Sequence, residues 1–255
     1  MPRYRFDIEY DGTPFHGWQR QAHSASVQQA IEEAIETFAH HPVRLHAAGR
    51  TDTGVHAEGQ VTHADLEWDW EAQTVRRALN AALLRARQPV AVRATERVSD
   101  QFHARFSATA RHYRYLILDR DWPPTTGRDT VWWVPSRGPL DVAAMSEAAR
   151  RLLGRHDFTT FRAAQCQANS PLRTLDRLDV AREGDRVVVR ASARSFLHHQ
   201  VRSMTGALKR VGEGRWTPDD VTEALAARDR SRCPAMAPPG GLCLVRVDYS
   251  PEGTS

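Results

Sequence analysis

Twice along this chain a stretch with the two-residue period of a strand gives way to one with the 3.6-residue period of a helix, which confines the fold to a mixed architecture built in two similar halves. In the first half Tyr4, Phe6, Ile8 and Tyr10 alternate with Arg3, Arg5, Asp7 and Glu9, and Asp11-Gly12 supplies a turn that ends this half-buried strand. Ser26 and Gln29 have the spacing of a capping box, after which Val27, Ala30, Ile31, Ala34, Ile35 and Phe38 recur at helical spacing as far as Pro42. Val43 to Ala48 and Val61 to Leu66 read as strands on either side of a glycine-punctuated polar loop, Gly49 to Gly59. Val75, Ala78, Leu79, Ala82 and Leu83 mark a second helix, followed by an extended run from Pro89 to Val98.

The second half repeats the theme. A strand is predicted around Arg111 to Leu118, a helix from Asp141 to Leu153 stopping at Gly154, and strands near Leu172 to Val180 and Arg186 to Ala191. A helix near His199 to Val211 ends at Gly212, Thr217-Pro218 caps another, and Leu242 to Tyr249 alternates as a last strand. The expectation is an α+β protein of two lobes, residues 1–105 and 106–255, with the boundary between Ser99 and Arg111. The stretch Asp121 to Pro139, rich in Pro, Gly and Trp, reads as a long ordered insertion, and Pro251 to Ser255 as a frayed tail.

A chain of 255 residues, 41% apolar and 26% charged, has enough material for one large or two modest cores. No run approaches the roughly 20 apolar residues of a membrane span, and Met1 to Tyr10 alternates instead of carrying a signal-peptide core, so a cytoplasmic protein is expected. Three cysteines without a C-x-x-C pair suggest neither a disulfide framework nor a zinc knuckle. The net charge of +4 is carried almost wholly by arginine, Lys209 being the only lysine. Guanidinium groups bind phosphate in a bidentate way and stack on bases, which suits RNA; arginine bias also follows from genome composition, so charge alone assigns no function.

The loop Gly49-Arg50-Thr51-Asp52-Thr53-Gly54-Val55-His56-Ala57 sets an acid, a guanidinium and a histidine between two strands. A lone carboxylate in such a loop is ordinarily a turn former. The string as a whole, however, resembles the Gly-Arg-Thr-Asp-Ala-Gly-Val-His motif of the tRNA pseudouridine synthase A family. The likeness continues through Asp11-Gly12-Thr13-Pro14-Phe15-His16-Gly17-Trp18-Gln19-Arg20, Phe102-His103-Ala104-Arg105-Phe106 and Arg111-His112-Tyr113-Arg114-Tyr115. It extends to Phe158-Thr159-Thr160-Phe161, Phe196-Leu197-His198-His199-Gln200-Val201-Arg202 and Gly241-Leu242, in family order over nearly the whole chain.

The resemblance implies two ferredoxin-like lobes related by a pseudo-two-fold, forming a central sheet with helices on one side and a basic active-site cleft. It implies isomerisation of uridine to pseudouridine at positions 38 to 40 of the tRNA anticodon stem-loop by a homodimer. Asp52 is then the catalytic carboxylate, attacking either the pyrimidine ring or the anomeric carbon of the sugar. An enclosed aspartate that must stay ionised needs a cation nearby, and the matching position makes Arg202 that cation. Arg50 would enter the space that a flipped base vacates; an ordinary phosphate contact is the alternative. Tyr113 and Tyr115 share a strand face, where core packing is the usual role, and residue matching makes Tyr113 the active-site one. Leu242 matches an apolar position that closes the pocket beneath the acid.

Phe102 to Phe106 and Gln165-Cys166-Gln167-Ala168-Asn169 are implied as surfaces that meet tRNA, with Arg105, Arg111 and Arg114 extending them. His198-His199 and His56 invite a metal, but no H-E-x-x-H or cysteine partner completes a site, and neighbours on a helix point about 100 degrees apart, so no metal is expected. Moving a base from nitrogen to carbon on the same sugar needs no redox step and no activated donor, hence no cofactor. Three positions depart from the family pattern: Thr53 stands for alanine, Gln200 for an apolar residue and Ser203 for asparagine. A non-catalytic tRNA-binding protein and a synthase with another RNA target remain as rival readings.

Overall fold

The computed structural model describes residues 1–135 and 138–250, so the expected tail at Pro251 to Ser255 lies outside the described residues. The described residues contain eleven strands and five α-helices. Packing divides the chain into two units, Met1–Ala110 with the chain from Leu244 onward, and Arg111–Cys243. This differs from the division at 105/106 because the last strand returns to the first unit.

In the first unit the order is β1 (Arg3–Tyr10), α1 (Val27–Ala39), β2 (His46–Ala47), β3 (His56–Asp65), α2 (Ala72–Arg85) and β4 (Val90–Val98). The strands lie in the order β4-β1-β3-β2 with antiparallel neighbours, so each helix connects two strands that have a third between them. Tyr4, Phe6, Ile8 and Tyr10 on one face of β1, Val27, Ile31 and Ile35 of α1, and Val75, Leu79 and Leu83 of α2 are all buried. The Ser26 hydroxyl accepts from the Gln29 amide at 3.3 Å, but the Gln29 side chain turns to Glu33 at 2.8 Å, so only half of the expected capping box forms.

The strand expected at Val43 to Ala48 shrinks to two residues, while β3 starts at His56, five residues before the expected Val61. The reason is composition: ahead of Val61 the buried positions of β3 include the polar His56 and Gln60, and polar residues inside hide a strand from a hydrophobic-period reading.

In the second unit β5 (Ala108–Asp119) leads into β6 (Trp132–Val134), α3 (Val142–Arg150), β7 (Gly154–Asp157), β8 (Leu172–Leu175), β9 (Arg177–Glu183), β10 (Arg186–Ala193), α4 (Gln200–Gly212) and α5 (Pro218–Ala227). The chain then enters β11 (Leu242–Tyr249), which runs back into the first unit beside β3. β10 pairs antiparallel with β5 on one side and β9 on the other, and α3 packs on α4 and α5. The single strand expected over Leu172 to Val180 breaks at Asp176, whose amide bonds to the Ser192 carbonyl at 2.9 Å. β6 lies parallel to β5, so the expected insertion does carry structure. Its far end is fixed by the fully buried Asp119 carboxylate, which accepts from the Leu140 amide at 2.8 Å and from Arg182 at 2.6 Å. Thr217 and Asp220 form the reciprocal capping box of α5, with Pro218 in its first turn, as the Thr-Pro pair predicted.

Two features of the first unit set the geometry of its loops. Gly17 has φ of +90°, and a Cβ there would stand 2.7 Å from the Thr51 carbonyl oxygen, so only glycine lets the 12–18 segment lie against the 49–55 loop. The second is His63, whose Nδ1 accepts the Ala104 amide at 3.1 Å. The same 99–107 loop is held by Arg3, which donates to the Phe102 carbonyl at 2.9 Å and forks onto Asp65 at 2.7 and 2.8 Å. Burial, helped by the neighbouring His103, Arg3 and His46, pulls the His63 imidazole down from its usual range to about 4.

Gly17→Ala is expected to destabilise the protein by about 1–3 kcal/mol in urea unfolding, because the strain and the clash are both with backbone. His63 gives a pH dependence of definite sign. Between about pH 6.5 and about pH 4 the unfolded chain holds its proton and the folded chain does not, so stability falls as pH drops through that window. Urea midpoints measured across it should decline in the wild type and decline less steeply in His63→Gln.

Candidate active site

The loop between β2 and β3 is held on all sides by backbone-directed hydrogen bonds. The Ala48 amide donates to the Val61 carbonyl at 2.8 Å, and the buried Gln60 amide group donates to the Gly49 carbonyl at 2.8 Å. From the 12–18 segment, the Trp18 amide donates to the Thr51 carbonyl at 3.0 Å and the Phe15 carbonyl accepts from the Gly54 amide at 3.2 Å. The buried hydroxyls of Tyr10 and Thr51 share a hydrogen bond of 2.7 Å, and the Val55 amide closes a turn onto the Asp52 carbonyl at 3.1 Å.

With Thr51 and Val55 buried, the loop shows Arg50 and Thr53 to solvent and leaves Asp52 half-buried. A carboxylate in that setting is positioned by its backbone, with little freedom left to the loop that carries it. At the loop's end His56 is buried, its Nδ1 accepting the Gly12 amide at 3.1 Å and lying 3.1 Å from Asp11. The Asp11 carboxyl stays below the usual carboxylate range because, although burial pushes it up, the Thr13 hydroxyl and amide and His56 together outweigh that push.

The second unit positions the other expected residues. Arg202, on α4, is buried at 8% exposure, and its Nε donates to the Ala237 carbonyl at 2.9 Å while the Ala237 amide donates to the Arg202 carbonyl at 3.1 Å. One residue thus holds both the backbone and the side chain of the arginine. The approach depends on Gly206, one turn further along α4, where a Cβ would meet the Ala235 carbonyl oxygen at 2.2 Å. Tyr113, on β5, is half-buried, with the ring of Phe196 edge-on at 5.3 Å. Tyr115 is fully buried, donates to the Pro238 carbonyl at 2.7 Å, and burial pushes its phenol far above the usual range. Leu242 is buried at the start of β11.

Gln200, polar where the family pattern is apolar, has a local reason: its side-chain oxygen accepts the Leu197 amide at 2.8 Å in the turn entering α4. The two histidines before it are not on the helix. His199 is the N-cap with φ of +65°, and the rings of His198 and His199 lie 3.9 Å apart instead of diverging as helix neighbours would.

The implied RNA surface divides into inside and outside. Phe102 and Ala104 are buried, and Arg111 is buried with its guanidinium on the Arg194 carbonyl, so these three side chains are withdrawn from the surface expected of them. Hydrophobic packing of the 99–107 loop claims the first two, and capping of a strand end claims the third. Arg105 and Phe106 are exposed and His103 and Arg114 half-buried; Gln165, Gln167 and Asn169 are exposed, with Cys166 and Ala168 half-buried. Among residues that hold the acid loop, Tyr10, Trp18 and Gln60 drew no role from the sequence. A buried glutamine inside a strand is the one signal that could have pointed to any of them.

The family model described as tRNA pseudouridine synthase matches residues 8–107 and 148–250. A tRNA pseudouridine synthase A of Mesorhizobium japonicum is 61% identical over 98% of this chain and 100% of its own length. Its counterparts from Brucella anthropi and Brucella ovis are 57% identical over 98% of this chain and 99% of theirs. Among solved structures, a chain of a Cbf5-Nop10-Gar1 complex aligns with a TM-score of 0.34 at 14% identity, over 81% of this chain and 45% of its own. With its family model covering most of the sequence and its relatives matched end to end, this chain belongs to the tRNA pseudouridine synthase family, isomerases that act without a cofactor.

Proposed function

We propose that this protein converts uridine to pseudouridine at positions 38 to 40 of the tRNA anticodon stem-loop, with Asp52 as nucleophile. The observation that carries this reading is the placement of Asp52: the half-buried acid of a loop whose neighbouring backbone groups are tied to strand, turn and side-chain partners. Its tRNA substrate is the one in the name of the full-length relatives.

The reaction breaks the bond from uracil N1 to the ribose C1′, reorients the base and joins C5 to C1′, and the hydrogen on C5 leaves as a proton. Asp52 forms the covalent bond that holds one of the two fragments meanwhile, either at the pyrimidine ring or at the sugar. Arg202 supplies the positive charge that keeps this acid ionised; so buried a guanidinium itself calls for an anion. Tyr113 offers a ring face to the displaced uracil and a hydroxyl for proton transfer, and Leu242 gives the pocket an apolar wall. Arg50, exposed on the acid loop two residues before Asp52, fills the gap left by the extruded nucleotide.

The proposal extends to architecture and setting. With β6, β7, β8 and α5 set aside as additions, the order β5-α3-β9-β10-α4-β11 repeats β1-α1-β2-β3-α2-β4, which supports two ferredoxin-like lobes of common plan related by a pseudo-two-fold. A homodimer in the cytoplasm is proposed with it, on the family likeness; no helix among the described residues is long and apolar enough to cross a membrane.

Tritium release from tRNA labelled at uracil C5 tests the chemistry, since forming the C–C bond must expel that hydrogen. Asp52→Asn should abolish release while tRNA affinity stays within about threefold, because distributed arginines supply most of the binding. Binding that collapses together with turnover would make Asp52 a structural residue. Arg202→Ala is expected to cut kcat by about a hundredfold or more and to lower stability, because it removes a charge on which a buried group relies. Turnover at the wild-type rate in that variant would remove Arg202 from the mechanism.

A further inference from the structure

His56 ends the acid loop and begins β3, and the chemistry proposed above gives it no task. It is buried, and its Nδ1 has two neighbours at the same distance, the Gly12 amide and the Asp11 carboxylate, each at 3.1 Å. A single ring nitrogen cannot serve both. To take the amide hydrogen bond it must present its lone pair, with the ring neutral and the proton on Nε2; to bond the carboxylate it must carry the proton itself. The Asp11 oxygen nearest the ring is already supplied, accepting the Thr13 hydroxyl at 2.6 Å and the Thr13 amide at 2.9 Å. Gly12 is buried, and a buried amide deprived of its acceptor is costly. The amide therefore has the stronger claim on Nδ1.

The bond matters because of where Gly12 sits. A Cβ on Gly12 would stand 2.1 Å from the Val55 carbonyl oxygen, so residue 12 lies directly on the backbone of the acid loop. The Gly12 carbonyl accepts the Phe15 amide at 3.0 Å, the Phe15 carbonyl accepts the Gly54 amide at 3.2 Å, and the Val55 amide donates back to the Asp52 carbonyl at 3.1 Å. Hydrogen bonds thus run from the His56 ring through the 12–15 turn to the residues just beyond Asp52. His56 grips the turn at one end and Gly54 at the other, which closes a clamp around residues 54–56. A displacement of Gly12 is carried to Gly54, and from there to the carboxylate two residues earlier.

We propose that His56 is a positioning residue for Asp52: its unprotonated Nδ1 holds the Gly12 amide and so locks the 12–15 turn that fixes the acid loop. Asp11 shapes the turn through Thr13 and is not the partner on which His56 depends. This deepens the function proposed above and rests on Asp52 being the nucleophile. Because Asp52 serves the chemistry and the distributed arginines serve the affinity, a slack clamp lowers kcat and leaves KM and Kd near their wild-type values.

Side-chain geometry supplies the test. The Oδ1 of asparagine is bonded to Cγ as Nδ1 is in histidine, whereas glutamine places its polar atoms where Nε2 was. Wild type, His56→Ala, His56→Asn, His56→Gln and Asp11→Asn are compared for pseudouridine formation on a tRNA transcript, for RNA affinity, and for hydrogen exchange of the 12–15 and 52–56 amides. His56→Ala and His56→Gln should lose about tenfold or more in kcat, with KM and Kd within about twofold, and should exchange faster at Gly12 and Gly54. His56→Asn should recover both the rate, to about half of wild type, and the protection. Asp11→Asn, whose amide oxygen still accepts from Thr13, should keep kcat within about threefold. Rescue by glutamine in place of asparagine, a loss in Asp11→Asn as large as in His56→Ala, or unchanged Gly12 exchange in His56→Ala would overturn the clamp. Should His56→Ala fail to fold, the contrast between asparagine and glutamine decides. If the wild type makes no pseudouridine, the proposed function fails, and the clamp then stands or falls on the exchange data alone.

Discussion

The contact between the Asp52 loop and the 12–18 segment is the constraint on which the candidate site depends. Two main-chain bonds and one glycine at φ of +90° hold two irregular segments back to back, and a buried hydroxyl pair ties the loop to Tyr10 at the end of β1. Each backbone bond is worth only about 1 kcal/mol net, but a buried amide left without a partner costs more than that, so the loop has few alternatives. Order in the loop is thus enforced by the penalty for leaving it. A carboxylate carried by such a loop keeps its place without being ordered afresh.

Arg202 is oriented by a similar device in the second unit. The Ala237 peptide takes the arginine's Nε and gives its own amide to the arginine's carbonyl, and Gly206 on the same helix lets the 235–237 segment approach. A buried guanidinium has five N–H donors to satisfy, and a backbone carbonyl meets one of them without adding a negative charge. Both devices use main-chain partners, which tolerate change in side chains but not displacement of the chain.

How far the sequence foretold this depends on which signal each residue carries. β1, α1 and α2 were legible because apolar residues alternate or recur on one face, and those are the faces that are buried. The first half of β3 was not, since the buried positions ahead of Val61 include the polar His56 and Gln60. β7, with the sequence Gly-Arg-His-Asp, carries no apolar period at all. The Asp52 loop was legible only as a string resembling a family motif; its hold by Tyr10, Trp18 and Gln60 comes from residues far apart in sequence, which no local pattern records. The motif Phe102 to Phe106 shows the same limit from the other side. Five consecutive residues that match together split into core and surface once folded, and only burial tells Phe102 from Phe106.

That split has a physical reading. Phe102 lies against Tyr249 at 5.1 Å and near His63, and so secures the loop to β11 and β3. Four residues later the same side-chain type is spent on the outside, where it adds nothing to the core. Burying a phenylalanine is worth roughly 1.5–3 kcal/mol relative to exposing it, so the fold forgoes about that much at Phe106 while keeping it at Phe102. A chain free to optimise stability alone would place a polar residue at the tip of a loop so well tied.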